Sequence, residues 1–162
     1  MEFLKDFTKD FIKDFIKDFI IEELKEEYLD GAAALEKENF GPDAWSRNSL
    51  ADTLKSKDYH YIVAIADHKV IGMCGYLRSF EEADVMNVST AAEYRGNGIA
   101  LKLMTTLLEQ GRAEGIEAFT LEVRKENTAA RKLYEKLGFI CEGIRPKFYS
   151  NPDDDAAIYW LR

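Results

Sequence analysis

Proline, cysteine and histidine are all scarce in this 162-residue chain, with three, two and two copies. The two thiols, Cys74 and Cys141, lie far apart. They offer neither paired metal-ligand spacing nor a small disulfide framework, and they read as free thiols of a reducing cytoplasmic compartment. His60 falls in a strand-like run and His68 in a turn, without ligand spacing, so no metal site is expected. Long apolar runs are missing too. None approaches the roughly 20 residues that cross a bilayer, and Lys and Asp interrupt the apolar residues of the N-terminus where a signal sequence would be continuous. Neither a membrane partner nor an export signal is expected. Positive charge is the minority sign: 22 Lys and Arg stand against 30 Asp and Glu, a net charge of −8. Without a basic face, direct nucleic-acid binding is not expected. The same imbalance suits a cationic partner, or serves solubility alone.

What the chain does contain is enough apolar residues, 46%, for one domain with a substantial core. The odd stretch is KDFTKDFIKDFIKDFI, Lys5 to Ile20, which repeats every four residues. Phe7, Phe11, Phe15 and Phe19 recur at i, i+4, with Ile12, Ile16 and Ile20 beside them. Strict alternation is absent, so a helix fits better than a strand, with a stripe that drifts because four exceeds 3.6. Residues 1–18 are therefore set apart as an accessory helix, or as a face for self-association, from a domain over 19–162. The last copy, FIIEEL, is the alternative start of a first strand.

The remainder alternates. Glu22 to Asn39 has helical composition, and Gly41-Pro42 marks a loop. Trp45 to Lys55 predicts a short helix with Ser46 as N-cap. Tyr59 to Ala66 and Val70 to Leu77 predict a hairpin turning at Asp67–Lys69, and Asp84 to Thr90 a third strand. Gly98 to Gly111 predicts a helix, Glu117 to Arg124 a strand, Thr128 to Leu137 a helix, and Phe139 to Phe148 and Ala156 to Leu161 late strands. An early meander followed by β-α-β gives an α/β domain around one mixed sheet, with helices on both faces.

The stretch EYRGNGIALKLM follows the third strand and opens a helix whose apolar face is Ala100, Leu103, Met104, Leu107 and Leu108. A helix start leaves N–H groups without carbonyl partners and carries partial positive charge. Glycines there let an anion reach the backbone, and Arg95 adds a planar cationic fork. Strand, glycine turn and helix make a diphosphate cradle in physical terms, although an ordinary turn reads the same. Neither the phosphate loop of nucleotide hydrolases nor a full G-x-G-x-x-G fingerprint is present. A second stretch, LEVRKENTAARKLYEKLGF, sets Glu122 on a strand and Asn127 at a helix N-cap. Ala130, Leu133, Tyr134 and Leu137 then share a face, and Gly138 supplies a left-handed stop.

Together the two stretches resemble the Gcn5-related N-acetyltransferase superfamily. R-G-N-G-I-A fits its R/Q-x-x-G-x-G/A motif, and N-T-A-A-R-K-L-Y-E-K-L-G-F resembles its second signature. The likeness covers roughly Ile20 to the C-terminus. LEVRKEN, Tyr134 and the tail KFYSNPDDDAAIYWL are similar to the ribosomal-protein alanine acetyltransferases, although Ala44 stands in DAWS where those proteins have proline.

The resemblance implies a cytoplasmic enzyme that uses acetyl-coenzyme A and no metal. Val88, Ser89 and Thr90 would pair with the pantetheine arm. Arg95, Gly96, Asn97, Gly98, Ile99, Ala100 and Leu101 would hold the pyrophosphate, and Asn127 would bind the arm from its other side. An α-amine has a pKa of about 8 and a lysine about 10.4, so the acceptor must lose a proton before attack. Glu122 is the candidate base and Tyr134 the candidate acid for the leaving thiolate. A main-chain N–H near Val88 would meet the oxyanion. Trp45, Phe148 and Tyr149 would contact the acceptor. That acceptor is expected to be the basic N-terminal peptide of a small-subunit ribosomal protein, beginning with alanine. The acidic loops 81–84 and 153–155 would attract it.

Each residue also has a plainer role open to it. The plainer readings are a solvated strand-end carboxylate for Glu122, a core tyrosine for Tyr134 and a helix cap for Asn127, which could do both jobs. A small-amine acceptor, or a module that binds coenzyme A without turnover, remains as an alternative.

Overall fold

The computed structural model describes residues 19–162. The helix expected over the Lys5–Ile20 repeat, and the boundary drawn after residue 18, lie outside the described residues. Among the described residues, seven strands and four α-helices follow in the order β1 (Ile20–Glu23), α1 (Leu29–Phe40), α2 (Arg47–Thr53), β2 (Tyr59–Ala66), β3 (Lys69–Ser79), β4 (Glu82–Thr90), α3 (Ile99–Ala113), β5 (Ala118–Arg124), α4 (Thr128–Lys136), β6 (Ile140–Tyr149) and β7 (Asp154–Leu161). The strands form one mixed sheet in the order β1-β2-β3-β4-β5-β7-β6. The fold is the expected α/β class. The chain divides into two compact units. One holds the described residues up to Gly75 together with Asn87–Met104, and the other holds Tyr76–Met86 and Thr105–Arg162.

In the first unit, β1 pairs antiparallel with β2, Ile20 opposite Ile65 and Glu23 opposite Ile62. The helix expected from Glu22 therefore starts later, at Leu29, and the FIIEEL alternative holds. Pairing with β2 and burial of Leu24 override the helical composition of the segment. Helix α2 begins where Ser46 predicts, its hydroxyl accepting the Ser49 N–H at 3.1 Å. The β2–β3 turn sets Asp67 and His68 at φ +48° and +62°, the left-handed pair that a two-residue hairpin requires. The unit's core includes Leu29, Leu35, Leu50, Ile62, Ile71 and Met73. Each such side chain contributes about 1.5–3 kcal/mol of burial free energy. Cys74 is wholly buried, and burial pushes its thiol far above the usual range, which makes it inert packing.

In the second unit, the start of β4 runs parallel to β5, Glu82 to Asp84 beside Ala118 to Thr120. Strand β7 joins antiparallel to β5 and carries β6 on its other side. Phe119, Leu121, Val123, Phe139, Ala157 and Tyr159 are buried here. Gly111 lets α3 approach closely, since a Cβ there would lie 2.7 Å from the Phe119 ring. Helix α3 buries Ile99, Leu103, Met104, Leu107 and Leu108, with Ile99 in the place expected for Ala100.

Two expected acidic loops are corrected. Glu82 and Asp84 belong to β4, and Asp154 and Asp155 begin β7. Asp154 accepts the Glu126 N–H at 3.2 Å and Asp155 the Lys147 N–H at 2.9 Å, so both carboxylates hold main chain of other segments.

Candidate active site

In the first unit the chain leaves β4 through Val88, Ser89 and Thr90 and makes one turn of tighter helix at Ala92–Tyr94. The Ala91 N–H donates to Ile71 at 2.8 Å and the Ala92 N–H to the Glu38 carboxylate at 3.3 Å, anchoring the exit. Arg95 is exposed and donates to the Thr90 carbonyl at 3.3 Å and the Asn39 side chain at 2.7 Å. Asn97 donates to the Tyr94 and Arg95 carbonyls at 2.9 and 3.3 Å and so ties the turn to itself.

Gly96 and Gly98 sit at φ +81° and +77°. A Cβ on either would meet nothing within 4 Å. Both glycines are thus set by backbone conformation, and the space beside them is open. Ile99 is buried beneath them, while Ala100 and Leu101 are half-buried on the first turn of α3. Bare main chain at positive φ, a helix start and an exposed guanidinium fit a diphosphate.

Trp45 lies at the head of α2 beside an open cavity of about 490 Å³, lined also by Ser46, Ser49, Asp52 and Tyr59. Its ring centroid is 6.2 Å from that of Tyr61. Sequence reasoning missed the polar group behind it. Glu36 on α1 is fully buried, and its Oε1 accepts from the Asn87 side-chain amide. Asn87 in turn accepts the Tyr61 hydroxyl at 2.6 Å. Burial raises the Glu36 carboxyl above its ordinary range, outweighing the Asn87 amide and the Trp45 main-chain N–H, which act the other way. Burial also raises the Tyr61 hydroxyl, with the charge of Glu36 adding to it. The available signal was Asn87 itself, a polar residue inside the strand pattern DVMNVST.

In the second unit Glu122 lies on β5 opposite Ile158 of β7, exposed, with Arg145 Nη1 3.4 Å from its Oε1. An ion pair this loose and this exposed contributes about 0–1 kcal/mol. Asn127 caps α4, its Oδ1 accepting the Ala130 N–H at 3.1 Å. Tyr134 faces inward from α4 and is 6% exposed, its ring edge-on to Phe139 at 6.0 Å and tilted to Tyr159 at 6.1 Å. Gly138 ends the helix at φ +98°, as expected.

Phe148 and Tyr149 pack edge to face at 4.8 Å near the end of β6. Arg145 stands over Phe148 at 5.4 Å and Arg124 over Tyr149 at 4.6 Å. Arg124 also donates to the carbonyls of Pro152 and Ser150, which ties the segment after β6 to β5. Burial raises the Tyr149 hydroxyl, and the charge of Glu122 adds to the effect. None of these arginines was singled out from sequence, because each acts on a partner distant along the chain.

A family model described as the acetyltransferase (GNAT) family matches residues 17–139. The chain belongs to that family. It is an acetyl-coenzyme A-dependent N-acetyltransferase. Among individual proteins, it is 30% identical over 136 residues to a Bacillus subtilis (strain 168) protein that carries the name ribosomal protein bS18-alanine N-acetyltransferase as a provisional assignment. That match covers 83% of this chain and 89% of the relative. It is 33% identical over 109 residues to the ribosomal protein bS18-alanine N-acetyltransferase of Haemophilus ducreyi (strain 35000HP), covering 67% of this chain and 74% of that one. The crystal structure of the ribosomal-protein-S18-alanine N-acetyltransferase from Escherichia coli superposes with a TM-score of 0.80 at 26% identity, covering 89% of this chain and 93% of that one. Among the described residues no group of three or more His, Cys, Asp and Glu is arranged to hold a metal, and no helix is long and apolar enough to cross a membrane.

Proposed function

We propose that this N-acetyltransferase acetylates the N-terminal alanine of a small-subunit ribosomal protein of the bS18 kind. The acceptor rests on the relatives named for that reaction, two of them at 30% and 33% identity. The donor site rests on one observation above the others: Gly96 and Gly98 at positive φ, open to a ligand at the head of α3. In this reading the pyrophosphate lies against Arg95–Leu101, and the arm runs along Val88–Thr90 with Asn127 on its other side. The neutral α-amine attacks the thioester carbonyl. Glu122 takes the amine proton, directly or through a water, a main-chain N–H near Val88 meets the oxyanion, and Tyr134 returns a proton to the departing thiolate. The thioester is already activated, so no acyl-enzyme is required. Trp45, Phe148 and Tyr149 contact the peptide, and the net charge of −8 favours a basic one.

The test is thiol release from acetyl-coenzyme A with three acceptors: an alanine-initiated basic peptide, a polyamine and an aminoglycoside. Turnover with the peptide and little with the others is expected. Preference for a small amine would overturn the acceptor, and binding of coenzyme A with no turnover would overturn the mechanism. Glu122→Gln lowers kcat by about 10²-fold if the carboxylate is the base. Unchanged turnover across pH would remove it from that role.

A further inference from the structure

Helix α1 carries a carboxylate where an apolar residue is expected. Glu36 follows Leu35 on the side that also buries Leu29 and Ala32, and none of its surface is exposed. A buried carboxyl is unfavourable unless its bonds serve something. Its Oε1 accepts the Asn87 amide, and the Trp45 main-chain N–H also bears on the carboxyl, while among the described residues Oε2 is buried without a hydrogen-bond partner. The far side of Asn87 is held as well, by the Tyr61 hydroxyl. Tyr61 itself is pressed against Gly75, where a Cβ would come within 2.3 Å of the ring. The reaction proposed above uses none of these groups.

Their common point is a backbone conformation. Asn87 stands in the middle of β4 at φ +57°. A left-handed residue inside a strand interrupts the pleat and needs its surroundings to hold it. The next residue is Val88, where the arm and thioester of acetyl-coenzyme A are proposed to lie. We infer that Glu36 is a positioning residue for acetyl transfer: by clamping the Asn87 amide it holds Asn87 left-handed, and so aims the Val88 main chain at the reacting carbonyl. This rests on the proposed site. The clamp needs a single acceptor in one place, and a glutamine supplies it equally well.

Three readouts test the clamp: amide resonances of Val88–Thr90 in ligand-free protein, the affinity for coenzyme A by calorimetry, and kcat with acetyl-coenzyme A and the alanine-initiated peptide. Glu36→Ala is expected to move those resonances and lower kcat about 10- to 100-fold, with the coenzyme A Kd within about threefold of wild type. Glu36→Gln is expected to restore both. Wild-type resonances and kcat in Glu36→Ala would overturn the inference. So would a Glu36→Gln variant as slow as Glu36→Ala, since the charge itself would then be the agent. Should Glu36→Ala fail to fold, Asn87→Gly and Asn87→Ala decide, because glycine accepts positive φ and alanine resists it. Asn87→Gly is expected to be the faster, and equal rates would overturn the inference. A wild-type protein without turnover on any acceptor would strike the acetyl-transfer reading instead, and the resonances would still decide the clamp.

Discussion

Glu36 shows what one buried group does to the pH dependence of stability. Burial raises its pKa in the folded state above the ordinary value of 4.5. The folded protein therefore holds this proton more tightly than the unfolded chain does. Its contribution to stability is largest below about 4.5, falls as pH climbs toward the raised value, and is flat above it. Glutamine at this position has no proton to lose. The melting temperature of Glu36→Gln relative to wild type is expected to rise as pH increases from 4.5 through that window. A difference that stays constant with pH would mean the carboxyl titrates alike in the folded and unfolded states, so that burial does not raise it. The hydrogen bonds around this carboxyl link residues 51 and 26 positions apart, Glu36 to Asn87 and Tyr61 to Asn87. No local pattern encodes such a pair. Arg145 and Glu122, 23 apart, were hidden for the same reason.

At the scale of elements, the helix starts carry the predictions. Asn127 caps α4 and is also proposed to bind the arm of acetyl-coenzyme A, and two substitutions separate the jobs. Asn127→Ala is expected to lose about 1 kcal/mol of stability together with affinity for coenzyme A. Asn127→Asp keeps the cap, so its melting temperature stays near wild type while affinity falls. Equal affinity in all three proteins would leave Asn127 as a cap alone. Gly98→Val forces a branched side chain to φ +77° and fills the open space before α3. A cost of about 1–2 kcal/mol and a coenzyme A Kd at least about tenfold weaker are expected by denaturant unfolding and calorimetry. Unchanged affinity would move the diphosphate elsewhere. These element starts were legible because their logic is short-range: Ser46 and Asn127 each bond three residues ahead, and Gly98 and Gly138 set their own φ. The beginning of β1 was legible only as an alternative. Its residues suit a helix, and only the facing Ile62–Ile65 segment decides for a strand.

For the whole molecule, the charge balance and the repeat bear on how the enzyme meets its partners. The family match begins at residue 17, so most of the repeat lies outside it. Removing Met1–Asp18 is expected to leave kcat within about twofold while changing molar mass or solubility, measured by light scattering beside the thiol-release assay. Loss of turnover would place the repeat in the enzyme proper. With a net charge of −8, the KM for the basic peptide should also climb with added salt.

Composition and the alternation of elements were enough to determine the α/β class, and the glycine turn before α3 with the Asn127–Phe139 stretch carried the resemblance that implies the family chemistry, because those features depend on residues a few positions apart. Tertiary structure alone decided that Asp154 and Asp155 hold backbone, that Arg145 meets Glu122, and that a buried carboxyl on α1 grips a left-handed asparagine in β4. Those pairings arise when segments distant in sequence are packed together, and desolvation then sets their worth.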